Sequence, residues 1–519
     1  ILFKHDKSTF DNIDMLFNKD RPGDRRDWLN KVFKPGLEPE YQRNETDTSQ
    51  FKYISYTDFI NHEFINFSQY DNIRSIPSLA DGLKPSQRQI AYTFMVHGIN
   101  KDMKVAQAAA KIAEFVHYKH GETSLCDAIQ RMCQDFTGTN NLPLLVPSGS
   151  FGSRLKFKSW SAPRYTFTRY QPYFKYIFKD EDVDLLEYNY DDNQKTEPKY
   201  LLPTIPLMLV NGARGMGTGW GTFIPNYKLG SIIRNIKRYL NGSPFKFMKP
   251  YYNDYIGDTE IIKKNGIPYR VIFTGIHSYD ESTHKVTISE IPPVVSVDEI
   301  KNNIMKYEDY IDISKIYESI NGNRVTISFK IVDPQGLKKK YGTNIESFIN
   351  TKIRLRISKE LNNHTVLNPE TIKPETYQRV EHLLADFVNF RLPYYEKRRL
   401  NIIKKLTVLL NRLNSKYKYI KAVRDNIISL SKKNEESLLM AIKDQNINPD
   451  ENGKYDFLLN IRSCDFTKDK LKKIKEDIEK NTNLRTEYEN ATDKDLWKKD
   501  LNELYKKVKE TSTKPEPQS

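Results

Sequence analysis

Apolar and polar positions divide the chain into four stretches. Residues 1 to about 60 are polar and broken by Pro22, Gly23, Pro35, Gly36 and Pro39, the punctuation of a connecting region. Within it, residues 24–29 carry the pattern of a short helix. From about 61 the pattern turns globular. Residues 86–96 read as a helix entered through the turn Asp81-Gly82-Leu83-Lys84-Pro85, and residues 106–115 are Ala-rich and helical. Residues 124–136 form another helix, with Leu125, Ile129, Met132 and Phe136 on one face. From about 201 strand signals dominate: a continuous apolar run at 204–210 and β-branched enrichment at 269–274, 286–288 and 324–331. From about 376, Ile403, Leu406, Leu410, Leu413, Tyr417 and Ile420 recur in three- and four-residue steps, an a/d seam. Leu471, Ile474 and Ile478 repeat the spacing, and Leu501, Leu504 and Val508 close the set. Between the two seams, residues 435–462 hold Leu438, Leu439, Ile442, Phe457, Leu458 and Leu459. The pattern fits two long antiparallel arms with a small helical tip, and it fits a plain helical bundle packed on the body equally well.

The first three helices, followed by a glycine-rich, strand-like stretch over 142–168, are similar to a winged helix-turn-helix. The chain's 519 residues exceed one hydrophobic core, so three or four domains are expected. No apolar run reaches membrane-spanning length and no signal peptide is visible. The opening Ile1-Leu2-Phe3-Lys4 lacks an initiator Met and reads as a piece of something longer. Lys and Arg outnumber Asp and Glu, 82 to 67, for a net charge of +15. Such an excess favours a polyanionic partner, nucleic acid above all, over a generic basic protein. Three cysteines, Cys126, Cys133 and Cys464, provide neither a disulfide framework nor a CxxC metal knuckle. A reducing compartment follows, with Cys126 and Cys133 placed to pack rather than react.

Tyr165, in Ser161-Ala162-Pro163-Arg164-Tyr165, is the candidate nucleophile among 32 tyrosines. A tyrosine hydroxyl has a reference pKa of about 10 and is neutral at pH 7. Attack on phosphorus therefore needs a proton acceptor and cationic neighbours. Arg164 is adjacent and always charged, although neighbours on a strand point to opposite faces. Arg74, Lys84, Arg88 and His120 precede it; taken alone, His120 fits a structural imidazole better than a reactive one. Asn211-Gly212-Ala213-Arg214-Gly215-Met216-Gly217-Thr218-Gly219-Trp220 places four glycines in eight residues. This suits a tight loop with close backbone approach, but it is neither GxxxxGK nor a well-placed GxGxxG. Met216, flanked by glycines, is an apolar side chain able to wedge between base pairs.

Several of these motifs, in one order, resemble the breakage-rejoining region of type IIA DNA topoisomerases. They are Arg74-Ser75-Ile76-Pro77-Ser78, Asp81 through Arg88, Lys104-Val105-Ala106-Gln107, His120-Gly121-Glu122, Pro163-Arg164-Tyr165, Tyr190-Asp191-Asp192-Asn193-Gln194 and the glycine-rich run. Asp495-Leu496-Trp497-Lys498-Lys499-Asp500-Leu501 resembles the returning coiled-coil arm of the eukaryotic-type enzyme, and residues 24–29 resemble the linker after its Toprim domain. The resemblance covers nearly the whole chain.

It implies a multidomain α+β architecture. Residues 1–60 would be the linker following a Toprim domain, 61–200 the winged-helix breakage-rejoining domain, and 201–375 a mixed α/β tower. Residues 376–434 and 470–519 would be coiled-coil arms, and 435–469 a helical gate. Tyr165 would attack the scissile phosphate to give a 5′-phosphotyrosine, with Arg164 supporting the transition state. Arg74, Lys84, Arg88 and His120 would line the same phosphate, with His120 relaying the tyrosine proton. Met216 stands where the family has an intercalating isoleucine. Lys104, Gln107, Lys119 and Arg214 would contact DNA. The usual His pair is here Lys119-His120, which puts the first histidine's role in doubt. No DxD followed by a suitable Glu and no GHKL ATPase motif is visible, and Asp191-Asp192 reads as a solvated turn. The Mg²⁺ ligands and the ATP site are thus expected in upstream modules, with no metal site in this chain. The implied partners are duplex DNA and a second copy, without a membrane, at sites of DNA replication in a nucleus or a viral cytoplasmic factory. The competing readings are a non-enzymatic coiled-coil DNA clamp, a basic scaffold and the separate breakage-rejoining subunit of a gyrase-like enzyme.

Overall fold

The computed structural model describes residues 1–34, 53–342, 344–429 and 434–512. Pro35, Gly36 and Pro39 lie outside the described residues. The chain divides into two compact units. The larger takes Ile1–Lys179, Leu186–Asn389 and the residues from Leu501; the smaller takes Asp180–Leu185 and Phe390–Asp500.

In the larger unit, the first residues hold more structure than a connecting region requires. Strand Leu2–Lys4 pairs in parallel with Tyr53–Ser55, and helices Thr9–Phe17 and Pro22–Val32 follow it. Pro22 stands at the first helical position, where a missing N–H costs nothing. Met15, Leu16, Trp28 and Leu29 share a core with Ile60, Ile65, Ile76, Trp220 and Leu367.

Three helices come next: Pro85–Val96, Val105–Phe115 and Glu122–Cys133. Their inner faces, including Ile90, Phe94, Ala108, Ile112, Leu125 and Ile129, are wholly buried. The third stops at Cys133, short of the expected Phe136. Gln134 leaves the helix with ψ 133° and donates from Nε2 to the carbonyls of Phe151 (2.8 Å) and Phe157 (2.6 Å). The strand-like stretch over 142–168 is mostly irregular. Among the described residues it contributes Phe167–Thr168, paired with Met103–Lys104, and isolated bridges at Leu145, Ser148 and Phe151.

The apolar run at 204–210 is not a strand. Leu207–Val210 is one buried helical turn, entered from Pro206. A short apolar run has no period that separates a strand from a buried turn, and the flanking prolines decide it. The remaining strand assignments hold. Asp258–Lys264, Ile267–Thr274 and Arg356–Glu360 make a three-stranded antiparallel sheet. Ile276–Asp280, Lys285–Glu290, Arg324–Lys330 and Tyr317–Asn321 make a four-stranded one. Val286 opposes Phe329 and Ile288 opposes Ile327 in that sheet. These residues share a core with Phe273, Ile300 and Phe348, the last two from helices Val297–Met305 and Ile345–Thr351.

Strand His364–Leu367 buries His364, whose Nδ1 lies 3.1 Å from the Tyr377 carbonyl and whose Nε2 is buried without a partner. Burial pulls its pKa down to about 4. A base of this kind binds its proton more readily in the unfolded chain. Its contribution to stability is full above the unfolded pKa of about 6.5 and is lost as pH falls from there toward the folded value. We expect a loss on the order of 3 kcal/mol across that window. His364→Gln should flatten the pH dependence of the urea midpoint, and an unflattened profile would assign the acid sensitivity elsewhere.

The part of helix Val380–Arg424 from Phe390 onward belongs to the smaller unit and carries the first seam, with Leu406, Leu410 and Ile420 buried. Ile474 is buried on helix Lys468–Asn490. The tip has its own core of Tyr419, Ala422, Ile428, Ile442, Ile447 and Leu458. The returning stretch is two helices, Lys468–Asn490 and Asp493–Ser512, because Ala491 is extended at ψ 139°. Leu501 and Leu504 are fully buried and fall in the larger unit. Asp182 accepts from Arg398 Nε (2.7 Å) and also binds Arg391, while Arg398 Nη1 donates to Asp500 (2.6 Å). Removing one partner from so buried a set strands a charge.

Candidate active site

The loop carrying Tyr165 is strapped to the start of helix Val105–Phe115. The first N–H groups of a helix have no partner within it. Here Val105 donates to the Thr166 carbonyl (2.9 Å) and Ala106 to the Pro163 carbonyl (3.1 Å). Ser148 and Phe167 exchange backbone bonds of 3.1 and 2.9 Å on the other side of the loop. Residues 163–165 are a turn, closed by Tyr165 N–H donating to the Ala162 carbonyl at 2.9 Å. The strand geometry that would separate neighbouring side chains is therefore absent. Arg164 Cζ lies 5.0 Å from the centre of the Tyr165 ring. That ring is 66% exposed, far more than a packing tyrosine needs. Lys104 and Gln107, both exposed, flank the same helix start.

A cleft of about 450 Å³ gathers a second set: Tyr70, Arg74, Arg88, Lys119, His120 and Tyr190. His120 Nε2 lies 2.8 Å from the Tyr70 hydroxyl. Burial, with the nearby charge of Arg74 second, lowers the His120 pKa, so the imidazole is neutral at pH 7 and able to take a proton. Lys119 Nζ is 2.7 Å from Asp191 Oδ1, and this hydrogen bond raises its pKa. Asp192 and Asn193, with φ of 46° and 63°, make the tight hairpin turn beside that pair. Arg88 differs from the others. Its side chain is buried, 2.6 Å from Asp81, and also bonds the Leu83 carbonyl. It fixes the turn that presents Lys84 rather than offering a free guanidinium.

A larger cleft of about 600 Å³ holds Arg74 again, with Lys84, Arg131, Lys158, Trp160 and Arg214. Lys84 Nζ donates to the Arg214 carbonyl at 2.8 Å. Burial, then the charge of Arg131, lowers its pKa. Arg214 and Met216 lie on strand Ala213–Met216, paired with Gly221–Ile224, so the glycine-rich run is a β-hairpin. The expected close backbone approach is there: a Cβ on Gly215 would sit 1.9 Å from the Ser75 carbonyl oxygen. Met216 is 86% exposed.

The candidates thus fall into three places. Tyr165, Arg164, Lys104, Gln107 and Met216 line neither cleft. Tyr70, Arg131, Lys158 and Trp160 had escaped the sequence reading. The only signal for the last two was their position within eight residues of Tyr165. The donor set does not fit a divalent cation. Asp81 is bound by Arg88, Asp191 by Lys119, and Asp127 lies 3.8 Å from Arg131. Among the described residues no His, Cys, Asp and Glu group is arranged to hold a metal. No helix among them is long and apolar enough to cross a membrane.

Tyr165 is thus an exposed tyrosine with a guanidinium against its ring, and Met216 an exposed apolar side chain on a hairpin. The DNA gyrase/topoisomerase IV family, in its A-subunit form, matches residues 74–502, and the C-terminal associated domain of TOPRIM matches residues 1–72. The chain belongs to the type IIA DNA topoisomerases and corresponds to their breakage-rejoining region. It is 31% identical over 526 residues to a DNA topoisomerase 2 of Penicillium chrysogenum, covering 95% of this chain and 32% of that protein. It is 32% identical over 538 residues to that of Plasmodium falciparum (isolate K1 / Thailand), covering 95% and 37%. The chain therefore spans about a third of the length of these curated relatives. The crystal structure of the Plasmodium falciparum topoisomerase II DNA-binding, cleavage and re-ligation domain superposes with a TM-score of 0.83 at 30% identity, covering 99% of this chain and 71% of that one.

Proposed function

We propose that the chain is the DNA-binding and cleavage core of an ATP-dependent type II DNA topoisomerase. The observation that carries this is the Tyr165 ring, two-thirds exposed at 66%, on a turn fixed to a helix start with Arg164 against it. The Tyr165 hydroxyl oxygen bonds to phosphorus as the bond from phosphorus to the 3′ oxygen breaks. The 3′ hydroxyl leaves and a 5′-phosphotyrosine remains. Resealing reverses the exchange without an external energy source. Arg164 stabilises the charge that gathers on the phosphoryl oxygens. Neutral His120, held by Tyr70, accepts a proton, while Arg74 and Lys84 hold phosphate oxygens. Arg88 acts through the Asp81 turn. Lys104, Gln107, Lys119 and Arg214 contact the duplex.

Two copies, each cutting one strand, satisfy the two-fold symmetry of a duplex. Residues 61–200 serve as the winged-helix domain, 201–375 as the tower, and 376–434 and 470–519 as arms about a gate at 435–469. Mg²⁺ and ATP would bind modules outside this chain. The TOPRIM-associated segment directly before the cleavage region supports the fused enzyme over a separate gyrase-like subunit. The enzyme would act at sites of DNA replication, in a nucleus or a viral cytoplasmic factory.

Met216 tests the DNA path. Bending a site of 20–30 base pairs costs about 1–6 kcal/mol, which a wedge between base pairs offsets. Met216→Ala should reduce the bend angle measured by energy transfer between duplex ends. An unchanged angle would remove the wedge.

A further inference from the structure

The loop before Tyr165 is built against two surfaces at once. Arg154, wholly buried, bonds Glu290 (2.6 Å), the Ile291 carbonyl (3.0 Å) and the Asn323 carbonyl (2.8 Å). Gly152, at φ +87°, turns so tightly that a Cβ would lie 2.5 Å from the Phe157 carbonyl oxygen. Phe151 bridges to Trp160, Ser161 N–H donates to the Ser150 carbonyl (3.0 Å), and Gln130 Nε2 donates to the Ser161 carbonyl (3.0 Å). Residues 151–161 are thereby fixed to the helix Glu122–Cys133.

This anchoring places Lys158, exposed, and Trp160, half-buried, in the larger cleft beside Arg131 from that helix. Arg131 Cζ lies 6.0 Å from the Trp160 ring centre, and its Nη2 is 3.8 Å from Asp127 one turn earlier. The guanidinium is thus steered by a ring on one side and a carboxylate on the other. Five cations, Arg74, Lys84, Arg131, Lys158 and Arg214, line the cleft against one carboxylate, Asp127. Charge so unbalanced in a concave wall calls for an anion. Burial first, and the charge of Arg131 second, lower the pKa of the Lys84 amine in the same cleft.

We propose that Arg131 and Lys158 form a further phosphate subsite for the duplex, with Trp160 as the positioning residue that orients Arg131. The subsite rests on the DNA-cleaving reading. Lys158 and Trp160 lie on the loop that ends in Tyr165, and Arg131 lies on the helix to which that loop is fixed.

The test is a salt titration of duplex binding by the full chain. Each phosphate contact contributes about 0.9 to the slope of log K against log salt concentration. Arg131→Ala should lower the slope by about 0.9, and Arg131→Lys should restore it. Lys443→Ala, removing an exposed charge in the smaller unit, should leave it unchanged. Trp160→Ala should weaken binding in the wild-type background but add nothing to Arg131→Ala, since a residue acting through Arg131 has no effect without it. An unchanged slope in Arg131→Ala, or full additivity of the two substitutions, overturns the subsite while leaving the DNA-cleaving reading intact. Wild-type binding without salt dependence would instead remove that reading, and the subsite with it.

Discussion

Tyr165→Phe, introduced into the full-length enzyme, is expected to bind duplex DNA with unchanged affinity and to form no covalent adduct. The substitution deletes one oxygen from a residue that is 66% exposed. The turn that carries it is closed by backbone bonds from Tyr165, Val105 and Ala106, none of which involves the hydroxyl. Folding and docking should therefore survive. What disappears is the only atom at this position able to bond phosphorus. A covalent route has no partial form, so cleavage, strand passage and relaxation should all fall to background. Adducts persisting at a substantial fraction of wild type would assign the nucleophile to another residue. Tyr70, beside His120 in the second cleft, and Tyr190, in the same cleft and 70% exposed, are the first to examine.

Arg164→Ala is expected to slow cleavage by about 10²- to 10³-fold, the usual cost of one preorganised donor to a developing oxyanion. The guanidinium lies 5.0 Å from the Tyr165 ring centre, while Arg74 and Lys84, the proposed phosphate holders, line a cleft that Arg164 does not. Ground-state affinity should therefore change by far less than the rate. Arg164→Lys keeps the charge but loses the planar fork, so it should recover only part of the rate. Single-turnover cleavage beside equilibrium binding separates the two effects. An equal loss in both would make Arg164 a plain DNA contact.

The sequence was most informative where a local signal and the tertiary environment agreed. Pro85 at the helix start, with the Lys84 N–H donating to Gln87 Oε1 at 3.0 Å, marks the first long helix within a residue of its expected boundary. Strands with β-branched alternation at 269–274 and 324–331 came through because their inner faces pack one core. Other features depended on partners far along the chain. Nothing local says that Gln134 will abandon its helix for the carbonyls of Phe151 and Phe157. The turn at Leu207–Val210 is fixed by burial and its prolines, not by its period. The same limit applied to the site. Arg88 looked like its neighbours Arg74 and Lys84 until Asp81 was seen to hold it. Arg164 and Tyr165 meet because residues 163–165 turn, a conformation set by the distant helix start at Val105. Arg131 and Trp160 are 29 positions apart in sequence, and only the fold shows that they share a wall.

The central claim is that Tyr165 carries the DNA. It is tested most directly by trapping the covalent complex of the full-length enzyme under denaturing conditions, digesting it, and mapping the peptide that retains nucleotide. The expected result is a single modified peptide containing Ala162-Pro163-Arg164-Tyr165, with the nucleotide on the Tyr165 oxygen. Nucleotide on any other tyrosine, with Tyr165 unmodified, would contradict it.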